Sequence, residues 1–434
     1  MFIFERYIHL TVLHALLLVL FYVWLWGRYR QQGWFPFFTI GYALFTLVPF
    51  GAMWGYLLYG REAWFWEEAL GLNGEWVIMA GIAYMMAGGV SLLILIGALG
   101  LRLALFAVTW IRATGSGVPG EGGMGARGRT GRGSGELSRA GFLARGASMA
   151  GLGVDLAPVI GTAGVLTGMF LGSREIVTER MSMELPDLHD DLRGLRIVQI
   201  SDVHVGSLID DVYLHFCLDQ LRAARGDLLV VTGDLIDFHN RAIPDTARFL
   251  NRAMAHFPLG VLVVTGNHDY FYDGNVLKRE LSRGDFRLLL NERITLSRGR
   301  GRLEFVGLEY PWPFYPGRVP ERRAAARAYF QRAMRGARRV GPRIVLNHDP
   351  AEFQWMQNED IDLLLSGHTH GGQVHIPGPN GGSWAPIESL RYKWPYVHGH
   401  YAADRARLYV NRGLGHSLPL RIECPPEISV FQLS

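Results

Sequence analysis

Five short polar clusters, each set directly after an apolar run, constrain this chain more than any other feature. RIVQI (196–200) runs into SDVHVG, with Asp202 and His204. DLLVV (227–231) runs into TGDLID, with Gly233, Asp234 and Asp237. GVLVV (260–264) runs into TGNHDY, with Asn267, His268 and Asp269. RIVLN (343–347) leads to His348, and DLLLS (362–366) leads to His368 and His370 in SGHTHGG. The runs are rich in Val, Ile and Leu without polar alternation, as in strands covered on both faces. Further runs at 302–307, 407–410 and 427–432 extend the set, and helical stretches near 210–224, 244–256 and 320–338 lie between them. The pattern predicts a layered α/β domain over residues 173–434. In open α/β sheets ligands bind beyond the carboxyl ends of the strands, so such a fold would gather all five clusters at one rim.

Asp, Asn and His offer oxygen and nitrogen donors of intermediate hardness. That mixture suits Mn, Fe, Zn or Co better than Ca or Mg alone. Seven such side chains exceed the needs of one ion, whereas two divalent ions sharing a carboxylate would use them all. A pair about 3.5–4 Å apart can clamp both the attacking and the leaving oxygen of a phosphoryl transfer.

The set DxH, GDxxD, GNHD, an isolated His and GHxH, in that order from Asp202 to His370, resembles the calcineurin-like metallophosphoesterase family. The flanking stretches ISDVHVG, SGHTHGGQ and NRGLGHS are similar to its membrane-associated YkuE-like and YaeI-like branch, over about Gly194 to Pro426. The resemblance implies a four-layer αββα sandwich, two β-sheets covered by helices. It implies that Asp202, His204 and His370 hold one metal, that Asn267, His348 and His368 hold the other, and that Asp234 bridges both. A hydroxide shared by the ions would attack phosphorus in line. His268 would then protonate the leaving oxygen or stabilise its developing charge, general-acid help being typically worth about 10²–10⁴-fold. Asp237 and Asp269 are expected behind the ligands, orienting histidines. Arg412 either meets substrate phosphate through its planar fork or pairs with an acid.

The front of the chain has a different texture. Ile8–Trp26, Phe37–Leu58 and Val77–Leu101 carry no charge, and each is long enough to cross a hydrocarbon core of roughly 30 Å. Residues 1–112 therefore read as three transmembrane helices. A fourth run, 150–172, holds Asp155 and Pro158 and is expected to span as well. Residues 113–149 form a Gly/Arg-rich linker with too little apolar surface to fold. Arg28, Arg30 and the linker arginines belong on the cytoplasmic side by the positive-inside rule. With four spans, the catalytic half of this multi-pass membrane protein faces the extracytoplasmic, periplasmic side.

These readings point to a membrane-anchored phosphoesterase acting on a phosphate ester or phosphodiester, with a lipid or lipid-linked compound as substrate and the bilayer as partner. A broad phosphodiesterase or nuclease is the rival. However, the dense arginines lie in the linker and not on a folded face, so nucleic acid is not the expected partner. A non-enzymatic membrane protein is the third reading. No element of the ligand set is missing, which weighs against it. The stretches 270–274 and 310–317, rich in aromatics, are expected to line the substrate groove, and His375 either meets substrate or is structural. Cys217 and Cys424 read as buried small hydrophobes.

Overall fold

The computed structural model describes residues 174–434 except 207–208, 238–239, 313–318, 378–382, 385–394 and 417–419, with isolated positions at 23, 26, 30, 31, 36, 167, 168 and 172. The expected spans and the 113–149 linker lie, those isolated positions apart, outside the described residues. Among the described residues no helix is long and apolar enough to cross a membrane.

Each apolar run becomes a strand. The strands are β1 (Val177–Met183), β2 (Arg196–Ile200), β3 (Leu228–Thr232), β4 (Val261–Val264), β5 (Arg287–Leu288), β6 (Glu292–Arg298) and β7 (Gly301–Gly307). They continue with β8 (Arg343–Leu346), β9 (Leu363–Ser366), β10 (Ile376–Pro377), β11 (Ser383–Trp384), β12 (Gly399–Ala403), β13 (Ala406–Val410) and β14 (Glu427–Leu433). The helices are α1 (Asp211–Ala224), α2 (Ile243–Met254), α3 (Gly274–Leu281), α4 (Val319–Ala333) and α5 (Phe353–Met356). Helix starts follow local chemistry. Asp210 caps α1 by accepting from the Tyr213 N–H, and Asp273 caps α3 by accepting from Asn275 and Val276. Pro244 sits in the first turn of α2, where its missing N–H is harmless.

Two six-stranded sheets result, ordered β1-β14-β2-β3-β4-β5 and β12-β13-β9-β8-β7-β6. In the first, β2, β3, β4 and β5 run parallel, and in the second β7, β8, β9 and β13 do. Parallel strands need crossovers, which the helices supply. Register keeps the strand ends level: Ile200 pairs with Val231 and Thr232 with Val264, while Leu346 pairs with Leu365. The clusters that follow therefore emerge at one height.

Side-chain alternation divides the core into three layers of contact. Ile197, Leu228, Val230 and Leu262 meet Phe305, Ile344, Leu346 and Leu363 between the sheets. Val198, Leu229, Val231 and Val263 face outward onto residues of α1, α2 and α3. Val306, Val345 and Leu364 face outward onto α4 and α5. Helices, sheet, sheet and helices make the four-layer sandwich. Besides the short β10–β11 pair, the strands that sequence pattern missed, β1, β5, β6 and β12, all lie at edges of the two large sheets. Edge strands such as VTERMSM and ERITLSR are half solvated and polar, so they lack the apolar signal of central ones.

Candidate metal centre

The seven expected ligands meet at the rim in two overlapping groups. In one, His204 Nε2 and His370 Nε2 stand 3.1 Å apart, and His370 Nε2 lies 3.4 Å from an oxygen of Asp202. In the other, His348 Nε2 lies 3.1 Å from His368 Nδ1 and 3.1 Å from the Asn267 side-chain oxygen. Asp234 Oδ2 stands between them, 3.7 Å from His204 Nε2 and 3.2 Å from His348 Nε2. Asp202, His204 and His370 form one group able to hold a cation, and Asp234, His348 and His368 form another.

The donor set fits a pair of divalent cations. Asp202, His204, Asp234, Asn267 and His348 are almost wholly buried. Buried charge needs a partner of opposite sign, and beyond the backbone N–H groups of His368 and His268 these carboxylates meet imidazoles that face one another nitrogen to nitrogen. Two ring nitrogens in such contact cannot both direct lone pairs at each other without a positive charge between or a proton on one. The pattern recurs at both groups, with an oxygen donor completing each.

How the chain aims these groups is visible in its backbone. Asp202, His204, Asp234 and His370 have φ near 51° and His368 has φ of 75°. Non-glycine residues rarely enter this left-handed region, and holding one there costs about 1–3 kcal/mol. Five such residues in one rim mark a functional constraint. Each lets the chain leave its strand and turn sharply, so that the side chain points into the seam. Two glycines permit the close approach. Gly233 has φ of 93°, and a methyl there would sit 2.7 Å from His348 Nδ1. A methyl at Gly367 would overlap the Ser201 hydroxyl and the Asp202 carboxylate.

Behind the ligands, Asp237 Oδ1 lies 3.2 Å from His268 Nδ1 and 3.5 Å from His204 Nδ1. Burial works against its charge, but these two histidines outweigh that and hold the carboxyl at about 2. Asp269 acts differently from the expectation that it orients a histidine. Its oxygens accept the backbone N–H groups of Leu235, Ile236 and Gly266, which ties the second cluster to the third. Burial, with Asp234 adding to it, pushes its carboxyl up to about 7. His268 is opposed by burial, yet the charges of Asp234 and Asp237 raise its ring above the ordinary value. His348 is likewise opposed by burial and is raised to about 10 by Asp234.

Arg412 takes the ion-pair alternative. Its guanidinium lies 2.6 Å from Glu427 and 2.8 Å from Glu179. His375 is buried and reaches the Gly371 carbonyl at 2.6 Å. Cys217 and Cys424 are free and buried. Two backing groups escaped sequence reasoning. The Thr232 carbonyl faces His348 Nδ1 at 2.8 Å, and a backbone oxygen leaves no trace in residue type. Arg421 is 1% exposed, and its guanidinium stands 3.2 Å from His370 Nδ1.

The two aromatic stretches converge beside His268. The Phe271 ring is 4.3 Å from the His268 ring, and Trp312 follows at 5.2 Å from Phe271. Tyr270 stacks on Trp312 at 6.1 Å.

The family model for calcineurin-like phosphoesterases matches residues 195–372. The metallophosphoesterase YkuE of Bacillus subtilis is 33% identical over 251 residues, which cover 55% of this chain and 79% of that one. A transmembrane protein with metallophosphoesterase domain from Danio rerio is 28% identical, over 57% of this chain and 56% of its own length. The UDP-2,3-diacylglucosamine pyrophosphatase LpxG of Chlamydia trachomatis is 27% identical, over 58% of this chain and 88% of its own.

Proposed function

The chain belongs to the calcineurin-like phosphoesterase family, metal-dependent hydrolases of phosphoric esters, and from that premise we propose a membrane-anchored, two-cation enzyme for a lipid or lipid-linked phosphoester. The observation that carries the two-cation reading is the single oxygen of Asp234 set between the His204 and His348 nitrogens. The uncharged runs of residues 8–101 support anchoring in a bilayer. Similarity to an enzyme named for a diacylated sugar nucleotide supports a lipid-linked substrate.

Asp202, His204 and His370 would hold one ion, Asn267, His348 and His368 the other, and Asp234 both. Bound divalent cations lower the pKa of coordinated water and neutralise charge growing on phosphoryl oxygens. The chain's own part is orientation and proton delivery. Asp237 accepts from His268 Nδ1, which fixes the ring and leaves Nε2 to protonate the leaving oxygen. Phe271 and Trp312 continue from that histidine as an apolar wall, along which an acyl chain or a flat ring of the leaving group can lie.

Metal content and a panel of lipid and water-soluble phosphoesters test the proposal, with Asp234→Asn as control. The expected result is two ions per chain and higher kcat/KM for esters presented in lipid micelles. Turnover confined to soluble esters sinks the lipid reading. A two-ion preparation that leaves every ester intact sinks the phosphoesterase itself.

A further inference from the structure

Strand register decides at which end of the sandwich the chain enters. β14 runs antiparallel to β2, with Ser429 beside Gln199 and Gln432 beside Arg196. Glu427 therefore lies beyond Ser429 towards the carboxyl end of β2, the end at which Asp202 and His204 emerge. β1 is parallel to β14 and pairs Val177 with Glu427, so it begins at the rim and runs away from it. The Val177 N–H donates to the Pro426 carbonyl, and the Glu427 N–H to the Gly413 carbonyl. A methyl on Gly413 would sit 2.9 Å from the Asp202 Cβ and 3.0 Å from His370 Nδ1.

Residues just ahead of β1 are held at the same end. Gly168 is buried, and its carbonyl accepts the Arg421 N–H at 3.1 Å. A methyl at Gly168 would meet Ile422, and one at Gly172 the Arg421 carbonyl, so this backbone lies directly against residues 421 and 422. Those two are tied in turn to the loop of His368 and His370. The Ile422 N–H donates to the Gln373 carbonyl, and the His375 N–H to the Ile422 carbonyl. Gly168 and Gly172 close the run 150–172 that is expected to span, and they belong to the same compact unit as the catalytic half, Thr167–Ser434. From Gly172 to Val177 the chain can reach at most roughly 18 Å.

Exposed apolar side chains favour that end too. Among the described residues from 174 onward, Val212 and Phe216 lie in the first half of α1, which departs from the rim. Tyr272 follows His268, and Val319 opens α4 after β7. Leu259 and Val340, ahead of β4 and β8, are the exposed large apolar residues of the opposite end. Aromatic and aliphatic side chains of this kind suit the headgroup layer of a bilayer.

We infer that the rim carrying the seven candidate ligands faces the surface of the bilayer in which the chain is anchored, so that a phosphoester headgroup reaches the site without its lipid leaving the membrane. The inference rests on the anchored, lipid-directed reading above and adds the direction in which the site opens.

Fluorescence quenching tests the direction without reference to activity. The full chain is reconstituted in phosphatidylcholine vesicles doped with a headgroup-nitroxide lipid, with one thiol-linked fluorophore at Tyr272→Cys or at Val340→Cys. Those positions are 67% and 52% exposed, while Cys217 and Cys424 are buried and stay unlabelled. The label at 272 should lose most of its emission, and the label at 340 should keep it. Should either variant not fold, Val212→Cys and Leu259→Cys repeat the comparison. Equal quenching at the two ends, stronger quenching at 340, or none at either overturns the inference. A chain that does not float with the vesicles overturns the anchored reading and the inference with it. In the unlabelled protein, long-chain phosphatidic acid should be turned over in the enzyme's own vesicles and not when supplied in separate ones. Equal turnover from both also overturns the inference. A quenched label at 272 with turnover of soluble esters alone overturns the lipid reading and leaves the direction standing.

Discussion

The two sheets are built on one plan yet bring different chemistry to the rim. The first supplies both carboxylates, an amide and two histidines: Asp202 and His204 after β2, Asp234 after β3, Asn267 and His268 after β4. The second supplies imidazoles alone: His348 after β8, His368 and His370 after β9. In the proposed scheme each ion would draw ligands from both: one would take Asp202 and His204 from the first sheet and His370 from the second, the other Asn267 from the first and His348 and His368 from the second. The first sheet alone brings His204, Asp234 and His268 together, but the full set of seven side chains forms only while the two sheets stay in register across the seam.

Contacts at the seam are correspondingly specific. Gln199 in β2 donates to the Ser366 carbonyl at the end of β9, at 2.9 Å. The His368 N–H donates to the Asp202 carboxylate at 3.0 Å, and the Leu414 N–H to the Ser201 carbonyl at 2.8 Å. Away from the rim the second sheet is held by charge. At the start of β8 the Arg343 guanidinium, 1% exposed, lies 2.6 Å from Glu304 and 2.6 Å from Asp360.

The most damaging test of this division is Asp234→Asn, because one oxygen serves both groups. The amide keeps the shape and loses the charge. We expect kcat/KM to fall by about 10³-fold or more, from several kcal/mol of lost charge stabilisation, with fewer than two ions retained. A variant that kept both ions and most of its activity would break the comparison at its centre.

Arg343→Met separates the base of the second sheet from its rim. Removing one partner of a buried ion pair costs up to about 3–5 kcal/mol, and the loss is smaller here because Glu304 keeps Arg293 at 3.2 Å. We expect a lowered denaturant midpoint with unchanged KM in the protein that remains folded. A changed KM would show that the base and the rim are mechanically coupled.

Gly367→Ala strikes the seam. Its methyl must displace Ser201 or Asp202, and overpacking of this kind costs about 1–3 kcal/mol. Binding of the ion next to Asp202 should weaken more than that next to His348, as read by Mn²⁺ titration. Equal weakening of both would argue that the seam moves as one piece.

How much of this was legible beforehand follows from what each sheet asks of its residues. Central strands such as LLVVT are buried on both faces and announce themselves, and the polar residues after them mark the rim. The edges, solvated on one side, do not. The residues that gather at the rim were readable because Asp, Asn and His recur after successive strands. Their left-handed backbone was not, since Asp and His adopt that conformation without changing type. Asp269 resembles an acid behind a histidine in sequence, and only the turn geometry reveals that it binds main-chain N–H groups. Arg421 lies 51 residues from His370, and its partners are carbonyls, so no residue pattern could have joined them.

The smallest expected effect concerns the aromatic wall, which belongs to neither ligand group. Phe271 comes from the loop after β4 and Trp312 from the loop after β7, so this wall too spans the seam. Because it starts at His268, it should sense the leaving group and not the phosphoryl group. Aromatic contacts of this kind are worth about 0.5–1.5 kcal/mol, hence roughly threefold to tenfold in rate. Trp312→Ala should therefore lower kcat/KM by up to about tenfold for esters with a long acyl or aromatic leaving group, and leave methyl esters unaffected. Parallel assays of the two ester classes read the difference directly. An equal loss on both would mean that Trp312 supports the position of His268 instead of touching substrate, and would move the wall from recognition to the proton-delivery machinery of the first sheet.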